Sequence, residues 1–207
     1  MQLFKHKGNG YKYRRGKGTE AAVSTLLLTG CSTSRQIETA AIIENVSVDR
    51  QDGGIVYTFY RLTGDETPWA VDVRADSFEE ACERAEAAYI PHLSLAKLEL
   101  LMIDEAVYEE VMESDIDFIS TQPSFSPIAY VTLCDDGAMK QVRETTRAQR
   151  VIEEQLLLLK DHDPRVSINY LVIFNQFARK DEESFFVPIV NSEKELKVGK
   201  FEIKREK

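Results

Sequence analysis

Cys31 has the most specific chemical context of any side chain in this sequence. It ends the apolar run Leu26-Leu27-Leu28-Thr29-Gly30-Cys31, and the polar stretch Ser32-Thr33-Ser34 follows it. This order is typical of a bacterial lipobox, in which a signal peptide is cleaved just before a cysteine whose thiol receives a diacylglyceryl group. We therefore predict a thioether-linked lipid at Cys31, with palmitate as an added acyl chain, and a lipoprotein that works outside the cytoplasm.

The residues before Cys31 have the charge expected of a leader. They include six Lys and Arg residues against one acid, Glu20, and positive charge keeps the N-terminal end of a signal peptide in the cytoplasm. The apolar run 21–28 is too short to cross a bilayer, which takes about 20 apolar residues. It lies at the lower limit for the apolar region of a signal peptide, roughly 7–15 residues. We predict a signal peptide or basic leader over residues 1–30. A disordered basic tail and a wrongly assigned start codon remain as alternatives.

The chain after residue 30 is strongly acidic. The sequence has 26 Lys and Arg and 35 Asp and Glu residues, a formal charge of −9. Six basic residues and one acid precede position 31, which leaves 20 basic and 34 acidic residues and a formal charge of −14. This balance disfavours nucleic acid, whose phosphates require basic patches, and it disfavours electrostatic docking on anionic lipid. A diacylglyceryl group would supply the membrane attachment instead.

Other polar groups that could perform chemistry have simpler explanations. Asp161-His162-Asp163 places a histidine between carboxylates, but Pro164 follows and a solvated turn is favoured. Asp135-Asp136-Gly137 lacks the ligand spacing of a calcium loop and is expected to be a strand-to-helix turn. The three histidines, His6, His92 and His162, form no metal-binding pair,. We predict no catalytic residue, no cofactor and no metal site.

Two cysteines remain beyond Cys31. Cys82 and Cys134 could form one disulfide in an oxidising compartment. Each lies on an apolar face of its predicted element, and buried free thiols are the favoured interpretation.

Strands are expected to alternate with helices along the chain, which indicates an α/β (α+β) domain with a mixed β-sheet flanked by helices. Ser77-Phe78-Glu79-Glu80 is a capping box that opens the first helix, and Asp49–Gly54 has the composition of a hairpin turn. The predicted strands are 37–48, 55–62, 69–74, 95–104, 128–134, 185–190 and 196–204. The predicted helices begin at Ser77 and span 106–119, 139–161 and 167–179.

The order of several short motifs resembles the Ger(x)C family of spore germination lipoproteins, the C subunits of germinant receptors, and specifically their N-terminal domain. The motifs are a cysteine followed by Arg35-Gln36-Ile37-Glu38, Ala40-Ala41-Ile42-Ile43 through Val48-Asp49, Ser77-Phe78-Glu79-Glu80-Ala81, Pro91-His92-Leu93 through Leu98–Ile103 to Glu105-Ala106, and Val187-Pro188-Ile189. The family has Trp-Asp directly after the cysteine, where this chain has Ser32-Thr33. Its members are also considerably longer.

The resemblance implies a family-like α/β domain over residues 31–190. Residues 191–207 would then be the start of a missing second domain or a C-terminal tail, and the chain would be a truncated gene product, a diverged short paralogue or a fragment. It further implies a non-enzymatic, lipid-anchored receptor subunit that acts in spore germination in response to nutrients. Its partners would be the A and B type membrane subunits, on the extracytoplasmic face of the cell membrane or inner spore membrane.

Two other functions compete with this interpretation. The first is a lipid-anchored, extracytoplasmic ligand-binding protein of a transporter, which would need a cleft between two lobes. The second is an extracytoplasmic hydrolase, which would need a cluster of polar residues that the sequence does not offer.

Overall fold

A computed structural model describes residues 41–61, 66–90, 92–121, 125–126, 128–179, 184–193 and 195–204, apart from the side chains of residues 116, 117, 120 and 178. The leader predicted over residues 1–30 and the lipid site predicted at Cys31 lie outside the described residues. So does the first part of the strand predicted over residues 37–48.

The described residues form nine strands and five helices. The strands are β1 (Ala41–Ile42), β2 (Asn45–Gln51), β3 (Gly54–Arg61), β4 (Trp69–Arg74), β5 (Leu93–Ser94), β6 (Leu100–Asp104), β7 (Tyr130–Cys134), β8 (Ser184–Asn191) and β9 (Lys197–Lys204). The helices are α1 (Phe78–Ala88), α2 (Tyr108–Thr121), α3 (Asp136–Glu144), α4 (Thr146–His162) and α5 (Tyr170–Ala178).

Seven of the strands form one mixed sheet in the order β4-β3-β2-β6-β7-β8-β9. The four central strands, β2, β6, β7 and β8, are parallel to one another. Antiparallel strands flank them, with β3 and β4 at one edge and β9 at the other. The two remaining strands, β1 and β5, pair in parallel as a separate small sheet. The predicted α/β class with a mixed sheet and flanking helices is confirmed.

The hairpin predicted between the first long strands is confirmed, but its turn is tighter than expected. Strand β2 continues through Gln51, so the turn consists of Asp52 and Gly53 alone. Their φ angles are 48° and 79°. Positive φ at both central positions defines a type I′ turn, whose twist matches that of the flanking strands, and Asp-Gly is a preferred sequence for it.

Three predicted elements have the wrong bounds. In each, apolar residues continue along the sequence past the point where the helix or strand is interrupted. The strand predicted over 37–48 is divided in its described part, since the chain leaves β1 at Ile43 and enters the large sheet at β2. The strand predicted over 95–104 begins only at Leu100, because Leu95 and Leu98 are buried in a turn. The helix predicted over 139–161 is two helices separated at Thr145.

The helix break has a clear local cause. Thr145 adopts an extended conformation and its side chain accepts a hydrogen bond from the backbone N–H of Arg147. It therefore caps the N-terminus of α4, as threonine commonly does. The last predicted helix, 167–179, likewise starts late at Tyr170, because the backbone N–H of Ser167 bonds to Phe186 of β8 instead.

The sheet separates two apolar cores. One lies beneath α1, α2 and α5 and includes Val46 and Val48 of β2. The other lies beneath α3 and α4 and includes Met102 of β6. Because successive strand residues point to opposite faces, the intervening residues of β2, among them Asn45, direct polar side chains toward the second face. Both faces of the central strands are thus covered, as parallel sheets require.

The sheet includes residues on both sides of position 191, where the sequence predicts a boundary. Strand β9 pairs with β8 from Asn191 opposite Lys197 to Ser184 opposite Lys204. Gln155 of α4 also bonds to the backbone of Leu196 at 2.8 Å and of Val198 at 2.8 Å. The edge strand predicted over 196–204 is confirmed and belongs to the same sheet as the earlier strands. Among the described residues, the helices are all too short or too polar to cross a membrane.

Candidate functional site

Asp135 forms the strand-to-helix turn that the sequence predicts. Its carboxylate accepts hydrogen bonds from the backbone N–H of Ala138 at 2.7 Å and from that of Ser192 at 2.9 Å. The first bond caps α3, and the second joins α3 to the end of β8. A Cβ atom at Gly137 would press against the side chain of Ser192, so a larger residue there would require that side chain to move. The segment therefore holds two elements together.

The Asp161-His162-Asp163 segment lies at the C-terminal end of α4. Asp161 and His162 are exposed in the last turn. The carboxylate of Asp163 accepts hydrogen bonds from the Arg165 guanidinium and from the Lys200 ammonium, and these bonds hold its pKa well below the usual range. Through its bond with Lys200, Asp163 joins the helix end to strand β9.

His92 occupies the turn before β5 with φ of 59°. Its carbonyl oxygen accepts a hydrogen bond from the backbone N–H of Ala41 at 3.0 Å. The side chain is exposed, and within the part of the chain that the structure describes there is no cluster of three or more His, Cys, Asp or Glu side chains able to hold a metal ion. His6 lies outside that part.

The two described cysteines are free thiols on opposite faces of the sheet, as predicted, but only Cys134 is fully buried and Cys82 is partly buried. Cys82 of α1 packs against the first core, and Cys134 at the end of β7 is fully buried in the second. Burial raises the pKa of the Cys82 thiol to about 12 and also raises that of Cys134. Both thiols stay protonated at neutral pH and are poor nucleophiles.

Asp115 is a buried carboxyl group that the sequence did not single out. Its side chain on α2 accepts hydrogen bonds from the phenol of Tyr57 at 2.9 Å and from the backbone N–H of Phe78 at 2.9 Å. It thereby joins α2 to β3 and to the first residue of α1. Burial raises its pKa. A signal was present, because Asp115 lies four residues from both Val111 and Ile119 on the apolar stripe of its helix,.

A second polar cluster lies on the opposite face of the sheet. Asn45 donates a hydrogen bond to Oε1 of Gln149 at 2.8 Å and to Oε1 of Glu153 at 3.3 Å. Gln149 in turn donates to the carbonyl oxygen of Val142 at 3.0 Å. Asn45 and Gln149 are fully buried. This chain of bonds fixes the carboxyl group of Glu153 at the end of the sheet where β2 begins.

Glu153 also lines a surface cavity of about 440 Å³, which we call the Glu153 groove. The groove lies where β6 and β7 begin, between the segment before β6, the segment before β7, and α4. Its lining residues are Ala96, Lys97, Leu98, Glu99, Ser126, Ile128, Tyr130, Glu153 and Leu157. The lining combines two carboxyl groups, Glu99 and Glu153, with the ammonium group of Lys97 and with apolar side chains that include Ile128 and Leu157. A volume of this size lies within the range of binding sites.

The carboxyl group of Glu153 is unusually basic. Its pKa is raised from 4.5 to about 7 by burial first, and then by the negative charges of Glu99 and Glu44. The hydrogen bond from Asn45 and the charge of Arg150 oppose this shift. Glu153 therefore changes its charge near neutral pH, which an ordinary surface glutamate does not do.

We expect Glu153 to make the folded chain less stable as the pH rises. Because its folded pKa of about 7 exceeds its ordinary value of 4.5, its contribution to stability is complete below the ordinary value and is lost as the pH rises through 7. Relative to Glu153→Gln, the natural chain should lose about 1 kcal/mol of unfolding free energy as the pH rises from 4.5 to 7.5. This figure allows for solvent screening of a part-exposed group. Urea denaturation at pH 4.5, 5.5 and 7.5 measures it.

Glu154→Gln is the matched control, since Glu154 is an exposed carboxyl group on the same helix. A difference curve for Glu153→Gln that is flat between pH 4.5 and 7.5 would contradict the assignment.

Comparison with known families gives one match. Residues 33–192 match the family described as "Spore germination protein N-terminal domain". The match covers most of the chain, begins two residues after Cys31 and ends just before β9. Searches of curated proteins and of solved structures found no match. The family supports a role in spore germination and an association with the spore membrane and other receptor subunits. The chain therefore belongs to the family of spore germination protein N-terminal domains.

Proposed function

We propose that this chain is a lipid-anchored, non-enzymatic subunit of a spore germinant receptor that takes part in the germination response to nutrients. The observation that supports it most directly is the position of the family match. The matching domain begins at residue 33, and the lipobox-like cysteine stands at residue 31. A lipid at Cys31 would therefore join the membrane to the domain with almost no intervening sequence.

The proposed location is the extracytoplasmic face of the cell membrane or inner spore membrane. The proposed partners are the A and B type membrane subunits of the receptor. The formal charge of −14 after residue 30 supports attachment through acyl chains, because an acidic protein gains nothing from anionic lipid headgroups. The basic residues 1–30 would act as the signal peptide and be removed.

We expect Cys31→Ala to abolish lipid attachment. The thiol is the only group at that position able to form the thioether, so incorporation of labelled fatty acid should fall to background and the protein should leave the membrane fraction. The measurement is intact mass together with membrane fractionation of protein from sporulating cells. The natural chain should have the mass of residues 32–207 plus a diacylglyceryl-modified Cys31.

Cys82→Ala is the control, because the part-buried Cys82 thiol packs against the core and should not affect labelling. An unmodified mass for residues 1–207 would overturn the anchor. Continued labelling and full membrane partitioning of Cys31→Ala would do the same. Saturable binding of an amino acid or sugar by the chain would favour a transporter's ligand-binding protein instead.

A further inference from the structure

The lining of the Glu153 groove exposes large apolar side chains to solvent. Ile128 is 73% exposed and Leu157 is 46% exposed. Two contacts fix the backbone at Ile128. The next residue, Ala129, is fully buried, and the backbone carbonyl oxygen of Ile128 accepts a hydrogen bond from the Asn169 side chain at 3.4 Å. Both side chains line the same groove together with polar groups, and exposed apolar side chains in such a setting are characteristic of interaction sites.

Leu157 is exposed because its helix neighbour takes the core position. Leu156 is fully buried in the second core, and adjacent residues of a helix point about 100° apart. Leu158 is also 58% exposed. The apolar run 156–159 thus contains more apolar side chains than the core can accept. Of the exposed pair, Leu157 lines the groove.

The two carboxyl groups in the groove lining, Glu99 and Glu153, determine the charge that a partner should bring. Glu99 is exposed, and Glu153 is part-buried with its carboxyl group held by Asn45. The side-chain amide oxygen (Oδ1) of the fully buried Asn45 has no hydrogen-bond partner among the described residues. Lys97 in the lining and Arg150 nearby offset part of this negative charge. The mutual repulsion of the carboxylates favours an added cation.

We propose that the Glu153 groove docks a segment of a receptor membrane subunit in which an apolar side chain stands next to a Lys or Arg. The apolar side chain would cover Ile128 and Leu157, and the basic group would meet Glu99 and Glu153. Because Ile128 stands on the rim, a small molecule inside the cavity would leave it exposed, whereas a polypeptide laid across the groove covers it. This inference rests on the proposed function.

The test is the recovery of receptor membrane subunits with the full-length, tagged chain from detergent-solubilised membranes of sporulating cells. Ile128→Asp and Leu157→Asp should each lower recovery about tenfold or more, the effect of losing roughly 1.4 kcal/mol at an interface. Tyr89→Asp is the matched control, because Tyr89 is an exposed apolar side chain on α1's C-cap and outside the groove lining. It should leave recovery unchanged.

A second pair of variants tests the charge of the partner. Glu99→Lys should lower recovery about tenfold, and Glu99→Gln should lower it by less, because reversal adds repulsion to the loss of attraction. Glu154→Lys, an exposed charge reversal on α4, is the control. Equal recovery with Glu99→Lys and Glu154→Lys would overturn the proposed basic partner.

The outcomes separate this inference from the proposed function. If the natural chain recovers no membrane subunit, the proposed function fails and the docking surface fails with it. If the natural chain and both groove variants recover the subunits equally, only the docking surface is overturned. If Ile128→Asp instead converts a dimer into a monomer in sedimentation experiments without changing recovery, a second copy of the chain occupies the groove and the inference is wrong.

Discussion

Phe78→Ala should lower the free energy of unfolding by about 3–5 kcal/mol, the range for removing a large aromatic side chain from a core. Phe78 is fully buried. Its ring lies 5.5 Å from that of Tyr57, 6.1 Å from those of Phe59 and Phe118, and 6.0 Å from that of Phe125. These rings come from β3, α2 and the segment after α2, so one side chain joins three parts of the first core. Urea denaturation at constant pH measures the loss.

Phe78→Leu is the control for this prediction. Leucine keeps most of the apolar volume, so it should cost about 1–2 kcal/mol. If the alanine variant loses no more than the leucine variant, the aromatic cluster does not stabilise the domain as its geometry indicates. A change in the slope of the denaturation curve would instead indicate an altered unfolded state.

Asp115→Ala should lower the free energy of unfolding by about 2–4 kcal/mol, because it leaves two buried donors without an acceptor. The donors are the backbone N–H of Phe78 and the phenol of Tyr57, each 2.9 Å from the carboxylate. The Phe78 N–H stands at the first residue of α1, where a helix has no internal partner for it. The loss should therefore appear first as fraying of α1, which hydrogen exchange detects.

Asp115→Asn separates the hydrogen bonds from the charge. The amide keeps an acceptor for the Phe78 N–H, and its NH₂ group can donate to the Tyr57 phenol, so we expect a change within about 1 kcal/mol. Burial raises the pKa of Asp115. The part of its contribution to stability that depends on protonation is therefore complete below the ordinary aspartate pKa and is lost as the pH rises through the pKa of the folded state. The asparagine variant should lack this pH dependence. Equal destabilisation by asparagine and alanine would contradict the bonding pattern.

Local sequence signals located the elements that depend on neighbouring residues. Strand β4 has the predicted bounds, Trp69–Arg74. Ser77 caps α1 as predicted, with its hydroxyl accepting the Glu80 N–H at 3.2 Å. The second half of the capping box differs, because the Glu80 carboxylate accepts from the N–H of Asp76 instead of Ser77. Such signals are readable from sequence because both partners lie within a few positions.

Features that depend on distant residues were not predictable in the same way. Asp115 meets partners 58 and 37 positions away, and Asn45 reaches Glu153 across 108 positions. The breaks at Thr145 and after Ile42 do not interrupt the apolar pattern, because buried residues, Thr146 and Ile43, follow them directly. The Glu153 groove consists of three segments that only the sheet order brings together. A single sequence shows which residue types are available for such a site, but it does not show which distant segments come into contact.

The small β1–β5 pair determines how a force applied at the N-terminal end of the domain would be transmitted to the sheet. If Cys31 is held at a membrane, the ten residues to Ala41 span at most about 36 Å. The load then enters β1, which pairs with β5 over two residues, and passes directly to β2, which is bonded on both sides by β3 and β6. Detaching β1 would lengthen the tether by about four residues, or roughly 14 Å, before the sheet itself is strained. The chain would therefore have a short reserve of length between an anchor at Cys31 and a strand that is paired on both sides.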